Sequence, residues 1–185
     1  MRRHGRTFLA MLVTAWGFGV WAAWPQETPS AEPPHEGARL FTQACVSCHQ
    51  PNGRGVAGVY PPLTPHLGRY VQVPEGREYL IRVVLFGLMG RMETEGQTYD
   101  NIMLPIGLSL TDQQVADVLN FVLRELNRES LPSGFQDIRP DEVARQRERS
   151  RGLSQGLKER ERVLQRLKEL MENKEDKKEK GEKRP

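Results

Sequence analysis

The sequence predicts an all-α fold: a small domain of three or more helices, followed by a charged C-terminal extension that is helical or disordered. Three observations carry this. Apolar residues recur at helical spacing in three stretches between residues 35 and 129, and no stretch alternates convincingly as a strand would. The loops between those helices are long and rich in Gly and Pro, which is unusual in a compact domain unless they enclose something. Roughly 95 residues with three modest helices also bury too little apolar area to be comfortable, so a non-protein group is expected at the centre.

The 185 residues suit one domain with extensions and exclude a large multidomain enzyme. Charged residues make up 28% of the chain but fall in unlike blocks. Residues 1–24 carry three Arg and no acid, residues 25–138 carry 8 basic and 13 acidic side chains, and residues 139–185 carry 16 basic and 11 acidic ones. The overall net charge of +3 therefore describes no single surface, and the interleaved acids of the tail argue against a nucleic-acid partner. Two cysteines permit at most one disulfide, not a disulfide framework.

In chain order, Arg2, Arg3, His4 and Arg6 precede an uncharged apolar stretch at residues 8–24. A basic start followed by an apolar run has the form of a secretory signal, and its length also suits an N-terminal membrane anchor. Either outcome places residues 25 onward outside the cytoplasmic membrane. Residues 25–34 hold four prolines and form an extended linker. Ala38, Leu40, Phe41 and Ala44 mark a first helix. A long loop follows, punctuated by Pro51, Gly53, Gly55, Gly58, Pro61, Pro62 and Pro65. Leu80, Val83, Val84 and Leu88 mark a second helix that Gly87 and Gly90 end, and an irregular stretch runs over residues 91–109. Thr111 and Gln114 have the form of a capping box, and behind them Val115, Val118, Leu119, Val122, Leu123 and Leu126 make the clearest amphipathic stripe in the chain.

The chemistry lies at the end of the first helix. Cys45, Val46, Ser47, Cys48 and His49 spell C-x-x-C-H, the attachment signature for a c-type haem. On a helical end, thiols three positions apart reach the two vinyl groups on one edge of a porphyrin, and the adjoining His49 is carried beneath the iron. A structural zinc site would need a second ligand pair that His4, His35 and His66 do not form. A thioredoxin-like pair would need a βαβ setting, and a plain disulfide explains neither His49 nor the missing core. The second axial ligand has four candidates: Met89, Met92, Met103 and His66. Met89 and Met92 stand where methionine commonly fills a core. Met103 lies in an irregular segment before the last helix, stiffened by Pro105, and is favoured.

These residues resemble those of the class I cytochromes c, over residues 35–127. Gly37 and Phe41 stand where that family has a glycine and an aromatic on its first helix, and Cys45 to His49 match its haem motif. Tyr60, Pro61, Pro62 and Leu63 resemble its proline loop, and Asn120, Phe121 and Val122 its aromatic-containing last helix. The resemblance implies a cytochrome c fold around one covalently attached haem c, with Cys45 and Cys48 as thioether tethers and His49 and Met103 as axial ligands. It also implies that the Pro61 carbonyl accepts the Nδ1 proton of His49, with Pro62 as the alternative register; such a bond orients the imidazole and raises its basicity. Leu40, Leu63, Leu67, Val83 and Leu119 are candidate haem-packing residues, equally readable as ordinary core.

With both axial positions filled, the expected function is one-electron transfer between Fe(II) and Fe(III), rather than peroxidase-like catalysis. Two settings fit: a periplasmic respiratory electron carrier, soluble or tethered through residues 8–24, or a haem subunit bound permanently to a dehydrogenase or reductase. The expected partners are redox proteins such as a terminal oxidase, reductase or dehydrogenase. The extension departs from a minimal member of the family. After a connector at residues 130–140, residues 141–173 read as a charged amphipathic helix, with Leu157, Leu164 and Met171 at seven-residue intervals. Residues 174–185 read as a disordered Lys/Glu-rich end. The helix either docks on its own acidic domain or remains solvated.

Overall fold

The computed structural model describes residues 36–182. The expected signal or anchor at residues 1–24 and the linker at residues 25–34 lie outside the described residues, and no described helix is long and apolar enough to cross a membrane.

Helix α1 (Glu36–Ala44) runs into the single turn α2 (Val46–His49). A long loop leads to a 3-10 segment (Leu67–Gln72) and helix α3 (Pro74–Phe86), with Pro74 in its first turn. Two short antiparallel ladders follow: β1 (Leu88–Met89) pairs with β4 (Ile102–Met103), and β2 (Met92–Thr94) pairs with β3 (Gln97–Tyr99) inside that hairpin. The sequence reading expected no strand here. With two or three residues each, these strands are too short to show alternation. After a 3-10 turn (Ile106–Ser109), helix α4 (Asp112–Leu126) opens on the capping box: Gln114 N donates to Thr111 Oγ1 at 3.2 Å, and Thr111 N donates to Gln114 Oε1 at 3.0 Å. Helices α5 (Pro140–Arg147) and α6 (Gln155–Glu182) complete the chain.

Helices α1 and α4 cross closely. Phe41 and Phe121 pack with ring centroids 5.3 Å apart, and a Cβ at Gly37 would come within 2.3 Å of the Asp117 carbonyl oxygen. Only a glycine permits that approach. This crossing buries Leu40, Phe41, Cys45, Val118 and Val122 in one cluster. A larger cluster joins Leu80, Ile81, Val84 and Leu85 of α3 to Val115, Leu119 and Leu123 of α4.

That larger core extends beyond residue 129. Ile138, Val143 and Val163 are 2%, 0% and 1% exposed and belong to the same cluster, so the charged extension completes the core of the domain it follows. Helix α6 packs Val163 into this core and runs on to Glu182, through part of the segment expected as a disordered end. Asn120 anchors the connector from both sides: its amide donates to the Ile138 carbonyl at 3.0 Å and accepts from Ile138 N at 2.8 Å. Arg77 reaches across from α3, donating to Glu142 at 2.5 and 2.9 Å and to the carbonyls of Gln136 and Asp137.

The Arg77 hydrogen bonds hold the Glu142 carboxyl below its ordinary value of 4.5. The unfolded chain therefore takes up that proton more readily than the folded one. The resulting stability is present above that ordinary value and is lost as pH falls through the lower folded value. Arg77→Ala should cost on the order of 1.5–3 kcal/mol near neutral pH, and the deficit should shrink in acid; unfolding midpoints measured across this range check both points.

Candidate functional site

The C-x-x-C-H motif is built by the junction of α1 and α2. Cys45 N donates to the Phe41 carbonyl at 2.9 Å, and His49 N donates to the Cys45 carbonyl at 2.9 Å, so helical hydrogen bonding runs from one helix into the next. Cys45 and Cys48, three positions apart, consequently share one side of the turn. The two sulfurs form no disulfide with each other. Burial, with the neighbouring Cys48 second, pushes the Cys45 thiol up to about 11, keeping it neutral inside the α1–α4 cluster.

After His49 the chain reverses at Gln50, whose φ is +63°. A set of backbone bonds then folds the loop back onto the motif. Gly55 N donates to the His49 carbonyl at 2.9 Å, Val56 N to the Tyr60 carbonyl at 2.9 Å, and Leu63 N to the Gly53 carbonyl at 2.7 Å. The result places the Pro61 carbonyl 2.9 Å from His49 Nδ1. Proline has no N–H and a fixed φ, so it presents its carbonyl without competing as a donor. His49 is buried, which lowers its tendency to take a second proton, while the bond to Pro61 opposes that shift. A neutral imidazole with Nδ1–H committed to Pro61 leaves the Nε2 lone pair for a metal.

Asn127, at the end of α4, holds the next part of the loop. Its side chain, 1% exposed, donates to the carbonyls of Leu63 at 2.8 Å and Val122 at 2.9 Å and accepts from Leu67 N at 2.9 Å. Thr64 Oγ1 also donates to the Leu126 carbonyl. The sequence carried no signal for this role, because an asparagine after a helix reads only as a helix end. Asn127→Ala would remove three hydrogen bonds to backbone groups, two part-buried and one buried, and should cost about 2–4 kcal/mol, with a matching fall in thermal stability of the purified protein.

The candidate sixth ligands separate. Met103 is half-buried in β4, opposite Leu88, whereas Met89 is exposed opposite Ile102. Side chains alternate between the faces of a ladder, so the ladder turns only one of these two methionines toward any given neighbour. Met92 pairs with Tyr99 in the other ladder. His66 Nε2 lies 2.9 Å from a Glu95 carboxylate oxygen, and both line a groove of about 950 Å³ beside α6 whose walls include none of Cys45, Cys48, His49 and Met103. Among the described residues, no group of three His, Cys, Asp or Glu side chains could hold a metal ion.

The donor set suits a haem c: a neutral imidazole nitrogen, a thioether and two cysteine sulfurs on one helical turn. The segments bearing these donors also keep apolar side chains at the surface, including Val56 and Val59 in the loop and Ile102 and Leu104 around Met103. Asn101 Nδ2 joins the segments by donating to the Val59 carbonyl at 3.1 Å. Such surface fits an apolar macrocycle.

A mostly helical domain in which α1 crosses α4, with a C-x-x-C-H turn and a proline carbonyl on the histidine, defines a c-type cytochrome. The comparisons with known proteins agree, and the chain belongs to the cytochrome c family. Residues 34–124 match the family model described as Cytochrome c. The chain is 35% identical to cytochrome c-552 of Thermus thermophilus over 128 residues, covering 69% of this chain and 96% of that protein. A second similarity, 34% over 87 residues, is to the cytochrome c subunit of the quinone alcohol dehydrogenase of Gluconacetobacter polyoxogenes, and covers 46% of this chain and 18% of that subunit. Membership implies covalently bound haem c and electron transfer as the activity.

Proposed function

We propose that this protein is an exported one-electron carrier of a bacterial respiratory chain, working in the periplasm with a single haem c. The bound haem supplies the redox chemistry, an iron that cycles between Fe(II) and Fe(III). Cys45 and Cys48 would tether it as thioethers, and His49 Nε2 and the Met103 sulfur would hold its iron. Pro61 fixes the imidazole plane and keeps the proton on Nδ1. Buried Leu40 and Leu119 and half-buried Leu63, Leu67 and Val83 limit water near the site.

The observation that most supports the reading is the 2.9 Å contact between His49 Nδ1 and the Pro61 carbonyl, on the turn that carries Cys45 and Cys48. The basic and apolar N-terminal residues support export. A pyridine haemochrome assay on exported protein should find one haem per chain that acid–acetone does not extract, and potentiometry should show a single reversible one-electron wave. Extractable haem would overturn the proposal.

The similarity to the alcohol dehydrogenase cytochrome subunit favours a second reading, a haem subunit held permanently by a dehydrogenase. Size-exclusion of the native host extract separates the two: a carrier elutes near its own mass, a subunit with its enzyme.

A further inference from the structure

The segment between α5 and α6 backs onto the ladder that carries Met103. The Arg151 side chain is fully buried, and its Nη2 donates to the Gly87 carbonyl at 3.1 Å. Gly87, with φ +71°, closes α3 directly before β1. A Cβ there would lie 2.2 Å from the Met103 carbonyl oxygen and 2.7 Å from Leu153 Cδ2, so Gly87 is pressed between the Met103 backbone and the extension. The contact continues along β1. Gly156 lies against Leu88, the ladder partner of Met103, and Leu157 lies against Gly90. Arg151 is itself held by Glu159 of α6, whose carboxylate lies 3.0 Å from both Arg151 Nε and Arg82 Nη2.

We propose that the C-terminal extension holds the axial methionine on the iron, with Arg151 as the positioning residue that clamps the Gly87 carbonyl behind the Met103 ladder. This rests on the assignment of Met103 as a ligand. Detachment of a thioether requires its segment to shift, and a shift of β4 must disturb β1 and Gly87. A buried guanidinium bonded to the Gly87 carbonyl opposes that motion, so the extension restrains ligand exchange at a haem it need not touch.

Exogenous imidazole competes with the methionine for ferric iron, and its apparent affinity reports how readily the thioether leaves. Ferric holoprotein titrated with imidazole and followed by its haem spectrum should bind about tenfold more tightly in Arg151→Ala, the worth of one charge-assisted hydrogen bond. Arg151→Gln, which keeps a shorter donor, should fall between the two and carries the test if Arg151→Ala folds poorly. Arg77→Ala weakens the same extension at α5, away from the ladder, and should lower thermal stability while leaving the imidazole affinity at the wild-type value. Unchanged affinity in both Arg151 variants would overturn the inference, as would an equal rise in Arg77→Ala at matched loss of stability. Met103→Ala separates the underlying assignment: survival of its thioether-to-iron absorption band refutes the ligand itself, whereas loss of that band alongside unchanged Arg151 variants refutes only the clamp.

Discussion

Met103→Ala should abolish the weak far-red absorption of the ferric protein and lower its reduction potential. Sulfur of a thioether is a soft donor that favours Fe(II), so its removal stabilises the ferric state. The fall should be on the order of 0.1 V or more, within the roughly 0.8 V that axial ligands span. The vacated position should then accept small ligands that the parent protein resists. Folding should suffer little, because Met103 is only half-buried and its pairing with Leu88 uses backbone groups. Met89→Ala, on the opposite face of the ladder, is the matched control and should keep both band and potential. If the two variants exchange roles, Met89 is the ligand.

Glu159→Ala should produce the largest loss of stability. Glu159 accepts ion pairs from Arg82 of α3 and from Arg151, each at 3.0 Å, and the three side chains are only 12%, 18% and 0% exposed. Removing the carboxylate leaves the buried Arg151 and the largely covered Arg82 without their shared counter-charge. Breaking a buried pair on one side costs roughly 3–5 kcal/mol, and at this chain length the melting point should fall by roughly 6–20 °C. Thermal unfolding of the holoprotein measures it, and a loss below about 1 kcal/mol would place the cluster among solvent-screened surface pairs. Replacing all three residues by apolar side chains of similar volume should be far milder, since the desolvation cost disappears together with the attraction.

Much of the site was legible from local pattern. Cys45, Cys48 and His49 are close in sequence because one helical turn must present them together, so their chemistry survives in a five-residue string. The Thr111 and Gln114 cap is equally local, and the structure forms it. The Pro61 carbonyl was reached through resemblance, since nothing in a proline's identity tells which histidine its oxygen meets; the structure supplies that 2.9 Å contact. Asn127 left no mark, because its three bonds run to a loop about sixty residues earlier and to its own helix.

The extension left the weakest trace in the sequence. By composition it is dominated by charge, and its apolar positions are sparse enough to suit a solvated helix. Ile138, Val143 and Val163 nevertheless complete the core, and the buried Arg151 side chain pairs with Glu159, which is 12% exposed. Local spacing was enough to establish the helices, the haem motif and the redox chemistry, because helix periodicity and thioether attachment depend on residues a few positions apart. Only tertiary packing decided which carbonyl orients His49, which methionine shares a ladder with Leu88, and that the charged tail belongs inside the domain. Those outcomes depend on contacts between residues 12 to 77 positions apart, where hydrogen-bond partners and paired charges are assigned by burial rather than by sequence neighbours.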